Sequence, residues 1–179
     1  MASKSKRAKW TAAQIKDHVR NIAKAVEKHR ADHKGEHFTS ITEADIERKF
    51  KRVNSPMIIS QGWSASPTPG SYNFGLNLYN PDPTPASALF AHVWVGSGNV
   101  DPNLGTFLLN VDPRFPRLTL PKFYGLTLAP AAAATLNFVI KVPPTVEKTN
   151  YMLNSCLMQF NWQDMGKYLD RGVFVFEVT

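Results

Sequence analysis

From Thr135 to Val142 apolar and polar positions alternate, with Leu136, Phe138, Ile140 and Val142 on one face and Asn137 and Lys141 on the other. That period of two predicts a half-buried strand whose core side holds Phe138. Tyr72, Phe74, Leu76 and Leu78 repeat the pattern against Asn73, Gly75 and Asn77. Residues 89–95 carry bulk on both faces, Leu89, Ala91, Val93 and Val95 against Phe90, His92 and Trp94. Such a strand belongs in mid-sheet, covered by the opposite sheet on one side and by the N-terminal helices or a partner copy on the other. Further strands are expected at residues 57–66, 107–111, 117–120, 123–128, 150–160 and 172–178, with turns at 67–70 and 80–85 and a bend at 131–134. Prolines that lack an N–H donor punctuate these runs. About eight strands with no helix between them predict antiparallel pairing in two packed sheets.

Ahead of residue 56 the period changes. Thr11 and Gln14 have capping-box spacing, and Trp10 and Ile15 stand where a hydrophobic staple closes, so a helix is expected from Thr11. Ile15, Val19, Ile22 and Val26 continue through His29 and His33 at intervals of four and three, drawing one narrow seam that Gly35 ends. A second helix is expected from Thr42, with Ile41 and Ile46 as its staple, Ile46, Phe50 and Val53 on one face, and Arg48, Lys49, Lys51 and Arg52 at its basic end. Residues 35–41 are expected to form the loop between them. Two coverings for the seam remain open: the chain's own sandwich or second helix, or the same seam on further copies in a short coiled coil.

Composition sharpens the division. Residues 1–56 hold 14 Lys/Arg against 7 Asp/Glu, while residues 57–179 hold 7 of each, so the whole formal charge of +7 lies in front. None of the 13 prolines precedes Pro56. The expected organisation is a basic flexible arm over residues 1–10, a helical segment over 11–55 and a β-sandwich over 56–179. No apolar run nears the roughly 20 residues of a membrane helix. The basic N-terminus lacks the apolar stretch of a secretory signal, and the single Cys156 forbids an intrachain disulfide. A cytoplasmic location is the expectation, or a virion if the chain is a shell protein.

The order of Tyr72–Pro81, Leu89–Gly96, Leu136–Pro143 and Asn150–Leu157 resembles strands B, C, E and F of an immunoglobulin-like sandwich, and is similar to the adhesion-type modules of bacterial proteins. The resemblance implies an all-β, antiparallel two-sheet fold of about seven to eight strands preceded by two α-helices. It also implies that Trp94 stands for the strand C tryptophan and Tyr151 for the tyrosine-corner residue. The paired inter-sheet cysteines of antibody domains are absent, and such sandwiches share no common chemistry.

Catalytic patterns are missing. There is no phosphate-binding glycine loop, paired-cysteine metal site or nucleophile elbow, and Asp164, Asp170 and Glu177 are scattered carboxylates. No cofactor is expected. His29, His33 and His37 recur every fourth residue and are candidate metal ligands, since imidazoles one helical turn apart can share an ion. The leading functional expectation is a non-enzymatic structural or interaction module that self-associates through the seam of Ile15, Val19, Ile22 and Val26 and the sandwich surface. The alternative is a nucleic-acid-associated, capsid-like shell protein with Lys4, Lys6, Arg7, Lys9, Lys16, Arg20 and Lys24 facing the polyanion. A third is a sugar- or lipid-binding sandwich that uses the Pro-rich loops.

Overall fold

In the computed structural model the described residues are 10–32, 37–52, 55–96, 111–163 and 166–179. Their elements run α1 (Ala12–Asp32), β1 (His37–Ser40), α2 (Glu43–Arg52), β2 (Met57–Ala65), β3 (Ser71–Tyr79), β4 (Ala86–Val95), β5 (Leu118–Leu120), a 3-10 turn (Lys122–Tyr124), β6 (Leu126–Leu128), β7 (Ala133–Lys141), β8 (Asn150–Gln159) and β9 (Lys167–Glu177). The strands form two antiparallel sheets. The first has the order β1-β2-β3-β7, and the second β5-β4-β8-β9 with β6 also on β4.

Between the sheets the alternating residues meet as their spacing requires. Phe74, Leu76 and Leu78 of β3 and Phe138 and Ile140 of β7 are buried against Leu89, Ala91, Val93 and Val95 of β4 and Phe174 and Phe176 of β9. Phe74 and Phe138 stack at 5.3 Å. Ile58 and Trp63 are five positions apart, so a regular β2 would turn them to opposite faces. A register shift between Ile58 and Ser60 brings both into this core and leaves Met57 and Ile59 on the outer side.

Both helix starts form as their spacing predicts. The Thr11 N–H donates to Gln14 Oε1 (2.8 Å) while Gln14 N–H returns to Thr11 Oγ1 (3.2 Å), and Thr42 and Asp45 make the same exchange. The two helices then cover the outer face of the first sheet. Ile22 is buried with Ile46, Phe50, Met57, Ile59 and Tyr79, and Ile15, Val19 and Val26 pack half-buried at its border. Asp170 of β9 anchors α2 from the far sheet, accepting from Lys49 Nζ at 2.6 Å and from Ile58 N–H at 2.8 Å.

Several expectations are corrected. Residues 37–40, read as loop, are the edge strand β1, because β2 offers a free ladder and Phe38 finds the His29 ring at 5.0 Å. The strand expected from residue 123 starts at Leu126, after the 3-10 turn, while Ala133 and Ala134 belong to β7 and the last strand starts at Lys167 rather than Gly172. The N-terminal helices cover β2 and β3, not the outward face of β4. Trp94 is buried on that outward face, with Phe90, Cys156 and Met158, and not between the sheets where the strand C tryptophan of the resemblance stands. The strand expected at 107–111 lies outside the described residues apart from Val111, which bridges Gly96. Val53, Gly35 and Asp164 lie outside them as well.

Candidate functional site

The two outer faces of the sandwich are treated differently. One lies under the two α-helices; the other, the outer face of the second sheet, carries no described α-helix and meets only the 3-10 turn through Tyr124. Its side chains form a grid set by strand register. Trp94 lies beside Asn154 and then Val173, His92 beside Cys156 and Arg171, and Phe90 beside Met158 and Tyr168, while Met152 and Val175 pair at the end of the grid.

The middle of the grid is closed. Trp94, Asn154, Cys156, Met158 and Phe90 are buried, and Asn154 Nδ2 donates to the Gly96 carbonyl at 3.0 Å. Burial pushes the Cys156 thiol up to about 12, with the nearby Asp170 carboxylate adding to the effect, so this sulfur stays protonated and is a poor nucleophile. His92 bonds Thr119 Oγ1 through Nδ1 at 2.9 Å, and burial, then the charge of Arg117, holds its pKa below the ordinary value.

Both ends of the grid are apolar and open to solvent. At one, Met152, Val173 and Val175 are exposed on neighbouring strands, Val175 at 53%. At the other, four rings climb outward from the core. Phe90 lies 4.5 Å from Tyr124, which stacks on Phe160 at 5.2 Å, and Trp162 stands edge-on to Phe160 at 5.1 Å. Exposure along this ridge reaches 40% at Tyr124 and 88% at Trp162. Tyr124 holds a left-handed backbone (φ 53°), rarely adopted by an aromatic residue, and Asn161 Oδ1 accepts from Gln163 N–H at 3.0 Å to shape the turn that carries Trp162.

The residues singled out by spacing are distributed elsewhere. The seam of Ile15, Val19, Ile22 and Val26 lies against the chain's own first sheet and α2, the first of the two coverings left open. Lys16, Arg20 and Lys24 point to solvent from the opposite side of α1, with Arg20 3.5 Å from Asp17, whereas Lys4, Lys6, Arg7 and Lys9 lie outside the described residues. The histidine triplet is not gathered. His29 bonds Ser60 Oγ on the outer side of the first sheet, His37 stacks on Trp63 at 4.3 Å on the other side, and His33 is outside the described residues. Among the described residues no group of three metal-ligating side chains comes together.

Spacing alone missed Trp162 and Tyr124; the one signal in the sequence that could have found the ridge is a tryptophan between the polar Asn161 and Gln163. It also missed His18, three residues beyond Ile15 and four before Ile22, which belongs to the seam by position although histidine counts as polar.

No protein-family model matches the chain, and no curated protein matches it. Among solved structures it is similar to the Salmonella enterica trimeric lipoprotein SadB, at 16% identity over 92% of this chain and 77% of that one, with a TM-score of 0.27 that carries no argument. It is also similar to the C-terminal domain of wzt, at 10% identity over 82% of this chain and 80% of that chain, with a TM-score of 0.51. At that identity the likeness speaks to fold alone, and with the strand pairing above it shows a two-sheet β-sandwich.

Proposed function

We propose that this chain is a non-enzymatic interaction module that self-associates through the outer face of its second sheet. The observation that supports this reading is the exposure of Trp162, Tyr124, Met152, Val173 and Val175 on the outer face that no described α-helix covers. Clusters of exposed apolar side chains, here one at each end of the grid, mark interaction sites, and tryptophan and tyrosine are the side chains that most often dominate them. The helix seam is not needed for this association, because its central residue already has a cover within the chain.

A second reading is favoured by a separate observation. Lys16, Arg20, Lys24 and Lys28 are exposed at four-residue intervals along α1, on the side away from the sheet, where they would meet a phosphate backbone. One experiment separates the two: sedimentation of the full chain in low and high salt, with absorbance at 260 and 280 nm. The first reading expects an oligomer at both salt concentrations, and a Trp162→Ala, Val175→Lys double variant of lower mass that melts like the wild type. A wild-type monomer at the highest soluble concentration would overturn it. Bound material absorbing at 260 nm that leaves in high salt is the outcome expected of the second.

We also infer an immunoglobulin-like strand order. Its support is that β2, β3 and β7 pair as strands A, B and E do, and β4, β8 and β9 as strands C, F and G. The Tyr151 hydroxyl adds to this by donating to the Glu147 carbonyl at 2.8 Å, four residues upstream, the bond that a tyrosine corner makes.

A further inference from the structure

We infer that α1 is a strap, held on the outer face of the first sheet by imidazole–hydroxyl bonds near both its ends and released when the solution is acidified. This inference does not rest on the self-association reading, which concerns the other sheet. At the N-terminal end, His18 Nδ1 lies 2.7 Å from Tyr79 Oη, with the imidazole 8% exposed. Three turns on, His29 Nδ1 lies 2.7 Å from Ser60 Oγ, and His29 is 2% exposed. Between them Ile22 supplies the buried apolar contact, and Asn77 Nδ2 donates to the Ala25 carbonyl at 3.2 Å. The helix is thus held by one fully buried aliphatic side chain, half-buried neighbours at its border and a set of polar bonds, an arrangement sensitive to the charge of His18.

His18 is the group that titrates the strap. Its ring meets Trp10 edge-on at 4.6 Å from the segment before the helix, Phe50 at 5.3 Å from α2 and Tyr79 at 5.8 Å from β3. The tyrosine is a neutral phenol whose own pKa burial raises further. The charged group acting on His18 is Asp17 of its own helix, and that carboxylate is exposed and 3.5 Å from Arg20. An imidazolium at this position keeps its bond to Tyr79 Oη yet holds its charge among three aromatic rings with no carboxylate bonded to it. Burial accordingly lowers the His18 pKa, against a smaller opposing pull from Asp17. The docked pKa therefore lies below that of the undocked side chain, near 6.5. The hold is complete above about 6.5 and is lost as pH falls from there through the docked pKa. Release bares Tyr79, Met57, Ile59 and Phe50, the residues that Ile22 covers.

Hydrogen–deuterium exchange of the full chain at pH 7.5 and pH 5.0, corrected for the intrinsic dependence of exchange on pH, tests this. Peptides from α1 are expected to lose protection at pH 5.0 relative to pH 7.5, while peptides from β3 and β7 hold theirs. In His18→Gln, which keeps a hydrogen-bonding group and cannot titrate, that pH dependence is expected to vanish. Loss of protection in equal proportion across α1 and both sheets, or a pH dependence that persists in His18→Gln, would overturn the inference. If the variant already leaves α1 unprotected at pH 7.5, the NMR titration of His18 in the wild-type protein decides. A midpoint at or above 6.5 rejects the strap, and one below it supports the strap.

Discussion

Replacing Ile22 by aspartate attacks the single point on which the docking of α1 depends most. Ile22 is 1% exposed and touches side chains from α2, β2 and β3. Deleting a buried isoleucine side chain costs about 2–5 kcal/mol. The new carboxylate must in addition lose its water among Ile46, Phe50, Met57, Ile59 and Tyr79, so it either takes up a proton or forces the helix off. Undocking caps the penalty, which places the expected loss at about 3–5 kcal/mol. For a chain of this size, with about 2–4 °C lost per kcal/mol, the melting temperature should fall by roughly 6–20 °C. The inter-sheet core shares no residue with the Ile22 cluster, so near-ultraviolet circular dichroism should retain the signal of the sandwich aromatics. Ile22→Val, expected to lose only about 0.5–1.5 kcal/mol, controls for the site itself. A thermal melt beside sedimentation reads both stability and mass. An aspartate variant that melts like the wild type would refute the packing argument, and one that melts normally but sediments at lower mass would move the seam to an interface between copies.

Phe138→Ala removes a ring stacked on Phe74 in the inter-sheet core and should cost about 3–5 kcal/mol in denaturant melts; a loss below about 1 kcal/mol would turn β7 over. Cys156, with its thiol pushed up to about 12, should resist iodoacetamide at pH 8 in the folded chain and react once the chain is unfolded. Rapid labelling of the folded protein would place it outside the closed part of the grid.

The sandwich was legible because its strands repeat with period two and each repeat has one answer for which face goes inward. Phe74, Phe138, Ile140 and Phe174 need only that rule. Two kinds of feature escaped it. β1 has four residues and no alternation of its own, and it exists because β2 presents an unpaired edge and Phe38 reaches His29. Periodicity carries no record of a neighbour in space. The ridge escaped for the opposite reason: Tyr124, Phe160 and Trp162 come from segments far apart in sequence, and only β4, by pairing with both β6 and β8, brings the turn before β6 next to the end of β8. His18 escaped through its chemistry. A histidine counts as polar in a hydrophobic pattern, yet its ring packs as an aromatic once a hydroxyl satisfies its nitrogen.

The division of charge near residue 56 follows which surfaces face water. Bonds cross it in number: His18 to Tyr79, His29 to Ser60, Asn77 to Ala25, Lys49 to Asp170, and the whole β1–β2 ladder. Composition instead follows exposure. A helix lying on the outer face of a sheet turns more than half its surface to water and takes Lys, Arg and Glu there, as α1 does with Lys16, Arg20, Lys24 and Glu27. Strands β2 and β3, roofed by α1 and floored by the second sheet, have no such surface, and between Arg52 and Asp82 the chain has no charged residue at all. β9, on the sheet that no described α-helix roofs, regains the alternation, with Arg171, Val173, Val175 and Glu177 outward and Phe174 and Phe176 inward. Two of those four outward residues are valines where water would favour charge; Val139 of β7, 50% exposed, is a single case on the first sheet, whereas Val173 and Val175 stand with Met152 on the neighbouring strand, and that grouping supports the proposed interaction surface there.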